Sequence, residues 1–590
     1  MKTKFLKLTA LCLGVVFVLG VKHYYFSLSH TPQTMVFSVP GQDRSVLTEI
    51  SGKRIQWTRK VFPFLSHVEI EDTLWTDQPK LQGVTISHSI SGSYDQGLLG
   101  GQSFKTLLKN LNFSKSPIKF SDPWNPTVFT SNPKGSIAIL AEDDIFRQQV
   151  MLFFDLKTGR AGFKTESLCL LPNKKYSFKW SIYTSDSSDY WDFINLVRKD
   201  WKVIHEISGA FIWFQPEDIL AMPLNVLREE LQKQHVKVAN MFGGWVDRNK
   251  PKWIGFGAAT LLAEFEHFRG LIKKSILKLK LADPTIRVLI YFDAQRESSQ
   301  DTLVRYKDSL FSADNQLIEY TDWMNQFNRT WSVYPTLKNT YGRKLLEVLA
   351  MIKRLGADGL YWDEIDSLDY SAVRFTAREW DGFSCQLDQD QQVVGQIGYL
   401  NLLSQEAKLA YAGLAGEVMA NSPPTLRSFQ DRNDLHMIEA QHHSDYSSYA
   451  HLNTPLGYIG TDDDWEAIVS TVQKGLIPAS VRLGYSTSFF AKLFPITPVE
   501  IYPGLILGNE RIVAARSGTY GWQSNCASVL ISQYDSKGQE TTFKGKLEHI
   551  AFGCRITIVL RKKEAVILTR IPSYSLDSVK NQIFFHPVFL

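Results

Sequence analysis

The 590-residue sequence predicts a three-part chain, a (β/α)₈ barrel flanked by an N-terminal and a small C-terminal β-sandwich. Three observations predict it. Between residues 208 and 494, apolar strand-like runs alternate about eight times with amphipathic helical runs, the pattern of a closed parallel barrel. On either side the pattern turns to short alternating runs broken by Gly, Pro, Asn, Asp and Ser, which is sandwich patterning. Composition agrees: 44% hydrophobic and 21% charged residues are enough for a large core, which excludes a disordered chain.

The elements follow in order. Lys2, Lys4 and Lys7 precede the uncharged run Leu8–Val21, and Lys22 and His23 close it. Fourteen apolar residues are short for a span of about 20. Flanking lysines that snorkel and the aromatics Tyr24, Tyr25 and Phe26 extend it to Phe5–Phe26. The reading is a signal anchor within residues 1–30, giving a single-pass type II membrane protein facing the secretory lumen or cell exterior. A cleaved signal peptide and a secreted protein is the alternative. Both put the rest of the chain outside the cytosol, as do the sequons at Asn112 and Asn328. Cys169, Cys385, Cys526 and Cys554 then allow three pairings, of which Cys526–Cys554, within one β-rich stretch, is preferred.

Residues 31–207 form the first sandwich, with strands such as Thr85–Ser91, Ser136–Leu140 and Tyr176–Tyr183, and a closing helix at Tyr190–Trp201. The barrel, 208–494, takes its strands from Ser208–Phe214, Val236–Phe242, Ile286–Phe292, Gly359–Trp362, Glu417–Asn421, His436–Glu439, Leu456–Gly460 and Ala479–Leu483. Helices fall at Pro216–Gln234, Ala258–Leu281, Gly342–Leu355, Gln405–Leu414 and Asp462–Leu476. Residues 495–590 return to alternating strands, among them Ala527–Tyr534 and Glu564–Ile571.

A barrel of this kind carries its chemistry at the carboxyl ends of its strands. Those ends hold Trp245 and Asp247 (strand two), Asp293 (three), Asp363, Glu364 and Asp366 (four), Asn421 (five), Glu439, Gln441, His442 and His443 (six), and Thr461 and Asp462 (seven). Alternation along strand four puts Gly359, Tyr361 and Asp363 on one face and Glu364 on the other. Adjacent histidines point opposite ways on a strand, so the His442–His443 pair predicts no metal site. Asp462–Asp464 lack the Gly and distal Glu of a calcium loop and read as a helix cap. No cofactor is expected. The formal charge of +5 is spread along the chain, so no nucleic-acid surface is expected. The oligomeric state is not legible.

The segment Gly356-Ala-Asp-Gly-Leu-Tyr-Trp-Asp363-Glu-Ile-Asp366 resembles the fourth-strand segment of retaining α-glycosidases with (β/α)₈ barrels, glycoside hydrolase families 13, 31 and 36 among them. The resemblance implies a glycosidase acting on glycans, with Asp363, the last residue of a Gly-x-x-x-Asp pattern, as nucleophile. Some of these families carry the acid/base after strand six, which by strand order implies Glu439. Cleavage of a glycosidic bond needs two such carboxyl groups flanking it, and burial near other carboxylates would keep Glu439 protonated. Asp293, Asn421, Glu364, Trp245, Tyr361 and Asp462 are the expected substrate-binding residues. Trp245, Trp253, Tyr361 and Trp362 are candidate sugar platforms or, more simply, core. Arg296 faces either Asp293 or a substrate carboxylate. The long stretch 297–341, with Tyr306, Tyr320, Trp323 and Trp331, is expected to shape the site. A catalytically inactive, lectin-like barrel is the alternative. A glycosyltransferase is disfavoured, because Asp462–Asp464 lack a nucleotide-binding strand–loop setting. A protease is disfavoured by the absence of HExxH and GxSxG patterns.

Overall fold

The computed structural model describes residues 28–31, 34–39, 42–105, 107, 118–241, 259–263, 266–299, 301–313, 316–320, 329–366, 376–377, 379–430, 432, 435–439, 448–453, 456–458, 465–484, 487–523, 526–543, 547–550 and 553–572. The apolar run at 8–21 and both sequon asparagines lie outside them. Among the described residues no helix is long and apolar enough to cross a membrane.

The barrel is present with the expected strand order. Its strands are β1 (Ala210–Phe214), β2 (Val236–Met241), β3 (Arg287–Phe292), β4 (Gly359–Trp362), β5 (Glu417–Asn421), β6 (Leu435–Glu439), β7 (Leu456–Tyr458) and β8, which comes in two halves, Ile477–Pro478 and Ser480–Val481. Each strand pairs in parallel with the next. The first half of β8 pairs with β7 and the second with β1. Between the halves, the Ala479 N–H donates to Gly457 O (3.2 Å) and its carbonyl accepts from Phe211 N (2.8 Å). One residue therefore closes the ring. β4 is buried along its whole length, as its unbroken Gly-Leu-Tyr-Trp sequence requires of a strand covered on both faces. Gly359 has no room for a side chain, since a Cβ there would lie 1.9 Å from Glu417 O on β5.

The helix before β4, Thr340–Leu355, is bounded by local chemistry. Asn339 Oδ1 accepts from Gly342 N (2.8 Å) at its start, and Gly356 ends it in the left-handed conformation, φ 89°. Asp358 lies at the amino end of β4, paired with Lys280 (2.7 Å) and accepting from Val288 N (2.8 Å). Of the acids in the Gly356–Asp366 segment, this one belongs to the stabilising face of the barrel.

The flanking domains are antiparallel and two-layered. In the first, strand His67–Thr76 alternates between half-buried and buried along its ten residues, one face inward. Its apolar side meets strand Gln82–Ser91 of the facing sheet in a common core that includes Ile70, Leu74, Ile86 and Trp180. This sandwich is not built from residues 31–207 alone. Strands Ser384–Leu387 and Val393–Tyr399, inserted between β4 and its helix, extend the sheet beyond Arg160–Leu170. A disulfide between Cys169 and Cys385 fastens them there, and the expected pair Cys526–Cys554 forms the second bridge, inside the C-terminal sandwich. The insertion is invisible to periodicity because its strands complete a sheet begun about 200 residues earlier.

Candidate active site

Three adjacent parallel strands bring three polar residues to the barrel rim. Asp363 follows β4, Asn421 ends β5 and Glu439 ends β6. The Asp363 backbone N–H still bonds to Phe292 O on β3 (2.8 Å), which fixes the position of its side chain. That carboxylate accepts three hydrogen bonds: from Tyr361 Oη (3.2 Å), from Tyr291 Oη (3.2 Å) and from Asn421 Nδ2 (2.9 Å). The tyrosine on β4 confirms the alternation, Tyr361 and Asp363 sharing a face. Asn421 Nδ2 also donates to Glu439 Oε1 (3.1 Å). One nitrogen serves both carboxylates, so the two accepting oxygens are no more than about 6 Å apart.

The charge pattern is strongly acidic. Burial pushes the Asp363 carboxyl up to about 6, and the nearby Glu364 and Glu439 carboxylates push it further, against the opposing hydrogen bonds of Asn421 and Tyr361. Asp293 is 2% exposed, and its carboxyl is raised well above the usual range by burial and by Glu364 and Asp363. It accepts from Gln295 N (2.8 Å) and Arg296 N (3.1 Å), so it caps its own turn behind the rim. Arg296 takes neither of its two expected partners as its main one: its Nε donates to Glu364 (2.8 Å) and its Nη1 to Ser332 Oγ (2.7 Å).

Glu364 departs from expectation. The strand stops at Trp362 and Glu364 adopts φ 46°, so alternation no longer applies and its carboxylate turns toward Arg296 and the other acids. Ser422, directly after Asn421, is also left-handed, φ 76°. Two non-glycine residues in this region, each costing about 1–2 kcal/mol, thus sit immediately behind two rim residues. Asp366 does not reach the rim: it is 2% exposed and paired with the fully buried Lys408 (2.9 Å).

The aromatic expectations divide. Tyr361 is 4% exposed, its ring packed edge-on to Trp213 at 4.4 Å, so it supports Asp363 rather than offering a face to a sugar. Trp362 is wholly buried against Phe292, and Tyr306 is buried against Tyr341. Trp331 has the Arg329 guanidinium over its ring at 4.7 Å. Trp245, Asp247, Trp253, Trp323, Gln441, His442, His443, Thr461 and Asp462–Asp464 lie outside the described residues, as does the side chain of Tyr320. Among the described residues no cluster of three metal-ligating side chains is present. Sequence reasoning missed Tyr291, although alternation along β3 puts it on the face of Asp293, two residues on. It also missed Lys408, a lone cation on the buried face of helix Leu400–Ala415, with Ser404 and Tyr411.

Fold and rim together define a sandwich–barrel–sandwich protein with paired carboxylates at the carboxyl end of a (β/α)₈ barrel. By sequence, no known protein family and no curated protein matches it. Similar solved structures include the galactosidase domain of an α-galactosidase–sucrose kinase (8% identity, 92% of this chain and 85% of that one, TM-score 0.47). They also include an α-galactosidase from Thermus thermophilus in complex with stachyose (8%, 75% and 85%, 0.42). A third is an α-N-acetylgalactosaminidase from Bifidobacterium bifidum (10%, 83% and 96%, 0.43).

Proposed function

We propose that the protein is a glycoside hydrolase that cleaves glycans with retention, Asp363 serving as nucleophile and Glu439 as acid/base. The observation that carries this reading is the single Asn421 amide shared by the two carboxylates. Retaining enzymes hold their two carboxyl groups about 5–5.5 Å apart, and inverting enzymes about 6.5–9.5 Å to admit a water. A ceiling of about 6 Å between the shared oxygens favours the first arrangement.

The chemistry follows from the geometry. Glu439 passes a proton to the glycosidic oxygen as Asp363 attacks the anomeric carbon, and the aglycone leaves. Glu439 then takes a proton from water, which displaces Asp363 from the glycosyl-enzyme. Asp363 has to be ionised to attack, and with its carboxyl pushed up only to about 6 it is still mostly carboxylate at neutral pH. Tyr291 and Tyr361 hold it in one orientation. The two disulfides support an oxidising compartment, in keeping with the proposed N-terminal anchor and a lumenal or extracellular site of action.

The test is turnover of a panel of aryl α- and β-glycosides. Asp363→Asn is expected to lose at least about 10³-fold in kcat. A fluorinated glycosyl donor should leave a covalent adduct that peptide mass spectrometry assigns to Asp363. Equal turnover by wild type and Asp363→Asn removes the residue from the mechanism. Glycan binding with no hydrolysis across the panel would mark a lectin instead.

A further inference from the structure

Both strained turns at the rim are bolted to one buried polar cluster. Asp366, three residues past Asp363, accepts from Thr425 Oγ1 (2.7 Å) and from the Thr425 backbone N–H, and Thr425 lies four residues past Asn421. Lys408 Nζ donates to Asp366 (2.9 Å), to Asn401 Oδ1 (3.0 Å) and to the carbonyl of Ile365. The last member comes from another domain. Gln148, on the short helix Asp144–Gln149 of the first sandwich, donates to Thr425 Oγ1 (2.6 Å) and accepts from Asn401 Nδ2 (3.3 Å). Asp366, Lys408, Thr425 and Gln148 are all buried, at 2%, 0%, 0% and 4%.

We infer that Thr425, with Asp366, Lys408 and the sandwich residue Gln148, forms a positioning cluster that sets the relative placement of Asp363 and Asn421, so that the N-terminal domain completes the active site without touching substrate. The inference rests on the proposed hydrolase reading for its effect on rate, but its effect on Asp363 can be read without turnover. The physical argument is one of constraint. Left-handed Glu364 and Ser422 persist only where the surroundings over-determine them. The Asp366–Thr425 hydrogen bonds couple the two turns directly, and Gln148 orients the hydroxyl that makes one of them. Loosening that link lets Asn421 shift from Asp363, and a displacement of about 1 Å near reacting groups can cost about 100-fold in rate.

The experiment uses the full chain with Thr425→Val, Thr425→Ser, Gln148→Leu and Lys408→Met. Two readouts are taken: kcat and KM on an aryl glycoside, and the titration midpoint of the Asp363 carboxyl by isotope-edited infrared spectroscopy, its band identified by loss in Asp363→Asn. Thr425→Val and Gln148→Leu should lower kcat about 10-fold or more with KM nearly unchanged. They should also displace the Asp363 midpoint, and Thr425→Ser, which keeps the hydroxyl, should restore both. Lys408→Met is expected to be the least stable of the four, and the polar-to-apolar changes at Thr425 and Gln148 carry the test. A cluster that only stabilises the fold would lower the melting temperature and leave kcat and midpoint alone, which overturns the inference. If the wild type hydrolyses nothing, the hydrolase reading fails, while a displaced midpoint still upholds the positioning role and an unmoved one ends it.

Discussion

Asp363 carries two opposed demands, and both are measurable. Its folded pKa, about 6, lies above the value of an unfolded aspartate, so between those values the folded state binds the extra proton. Its contribution to stability therefore falls as pH rises from about 4 to about 6 and stays lost at neutral pH. Asp363→Asn, which cannot ionise, should unfold at higher urea than wild type at pH 7, by on the order of 1 kcal/mol once partial solvation is allowed for, and the gain should vanish near pH 4. Activity runs the other way. The attacking form is the carboxylate, so kcat/KM, which reports the free enzyme, should fall as pH drops through about 6. Tyr291→Phe or Tyr361→Phe removes a donor to that carboxylate and leaves it less stabilised, so each should move the acid limb upward, by about 0.4–1 unit. A pH–rate profile that shifts downward in either variant would contradict the assigned hydrogen bonds.

Among the elements, helix Leu400–Ala415 makes the sharpest prediction. Lys408→Met removes the charge that compensates Asp366 in a site both share without solvent, and breaking such a pair costs about 3–5 kcal/mol in urea denaturation. At the start of Thr340–Leu355, Asn339→Ala removes the cap and should cost about 1 kcal/mol. These elements also show what was readable from sequence. Thr340–Leu355 could be placed within two residues because its cap, its apolar stripe and its closing glycine are all local signals. The eight strands could be placed because each is a short apolar run between turn residues, and strand order alone then brought Asp363 and Glu439 near each other. The roles of Asn421, Tyr291 and Lys408 were not legible. Asn421 reads as a rim amide, and only coordinates reveal that one nitrogen serves two acids from neighbouring strands. Lys408 interrupts an apolar face, and nothing local says that Asp366, 42 residues earlier, is its partner. Glu364 misled because the alternation rule was carried two residues past the end of its strand.

The whole molecule is stitched across its domain boundaries rather than strung as beads. Besides Gln148, Arg147 reaches from the first sandwich to Gln430 (2.8 Å) and Arg198 to the carbonyl of Asn453 in the barrel. Cys169–Cys385 closes a loop of 216 residues between sandwich and insertion. Replacing both cysteines by serine should cost about 2–5 kcal/mol and lower the melting temperature of sandwich and barrel together, followed by calorimetry. A separate, earlier transition confined to the sandwich would show that the two melt independently. The seam at Ala479 bears on how such a chain is made. The barrel's opening strand leaves the ribosome with one edge bare, and its partner is not synthesised until about 270 residues later, so that edge is a temporary aggregation hazard. Closure of the barrel is thus tied to synthesis of about four-fifths of the polypeptide. A nascent chain halted before that seam would hold its acidic residues on an open, curling sheet, with no enclosed basin in which they could work.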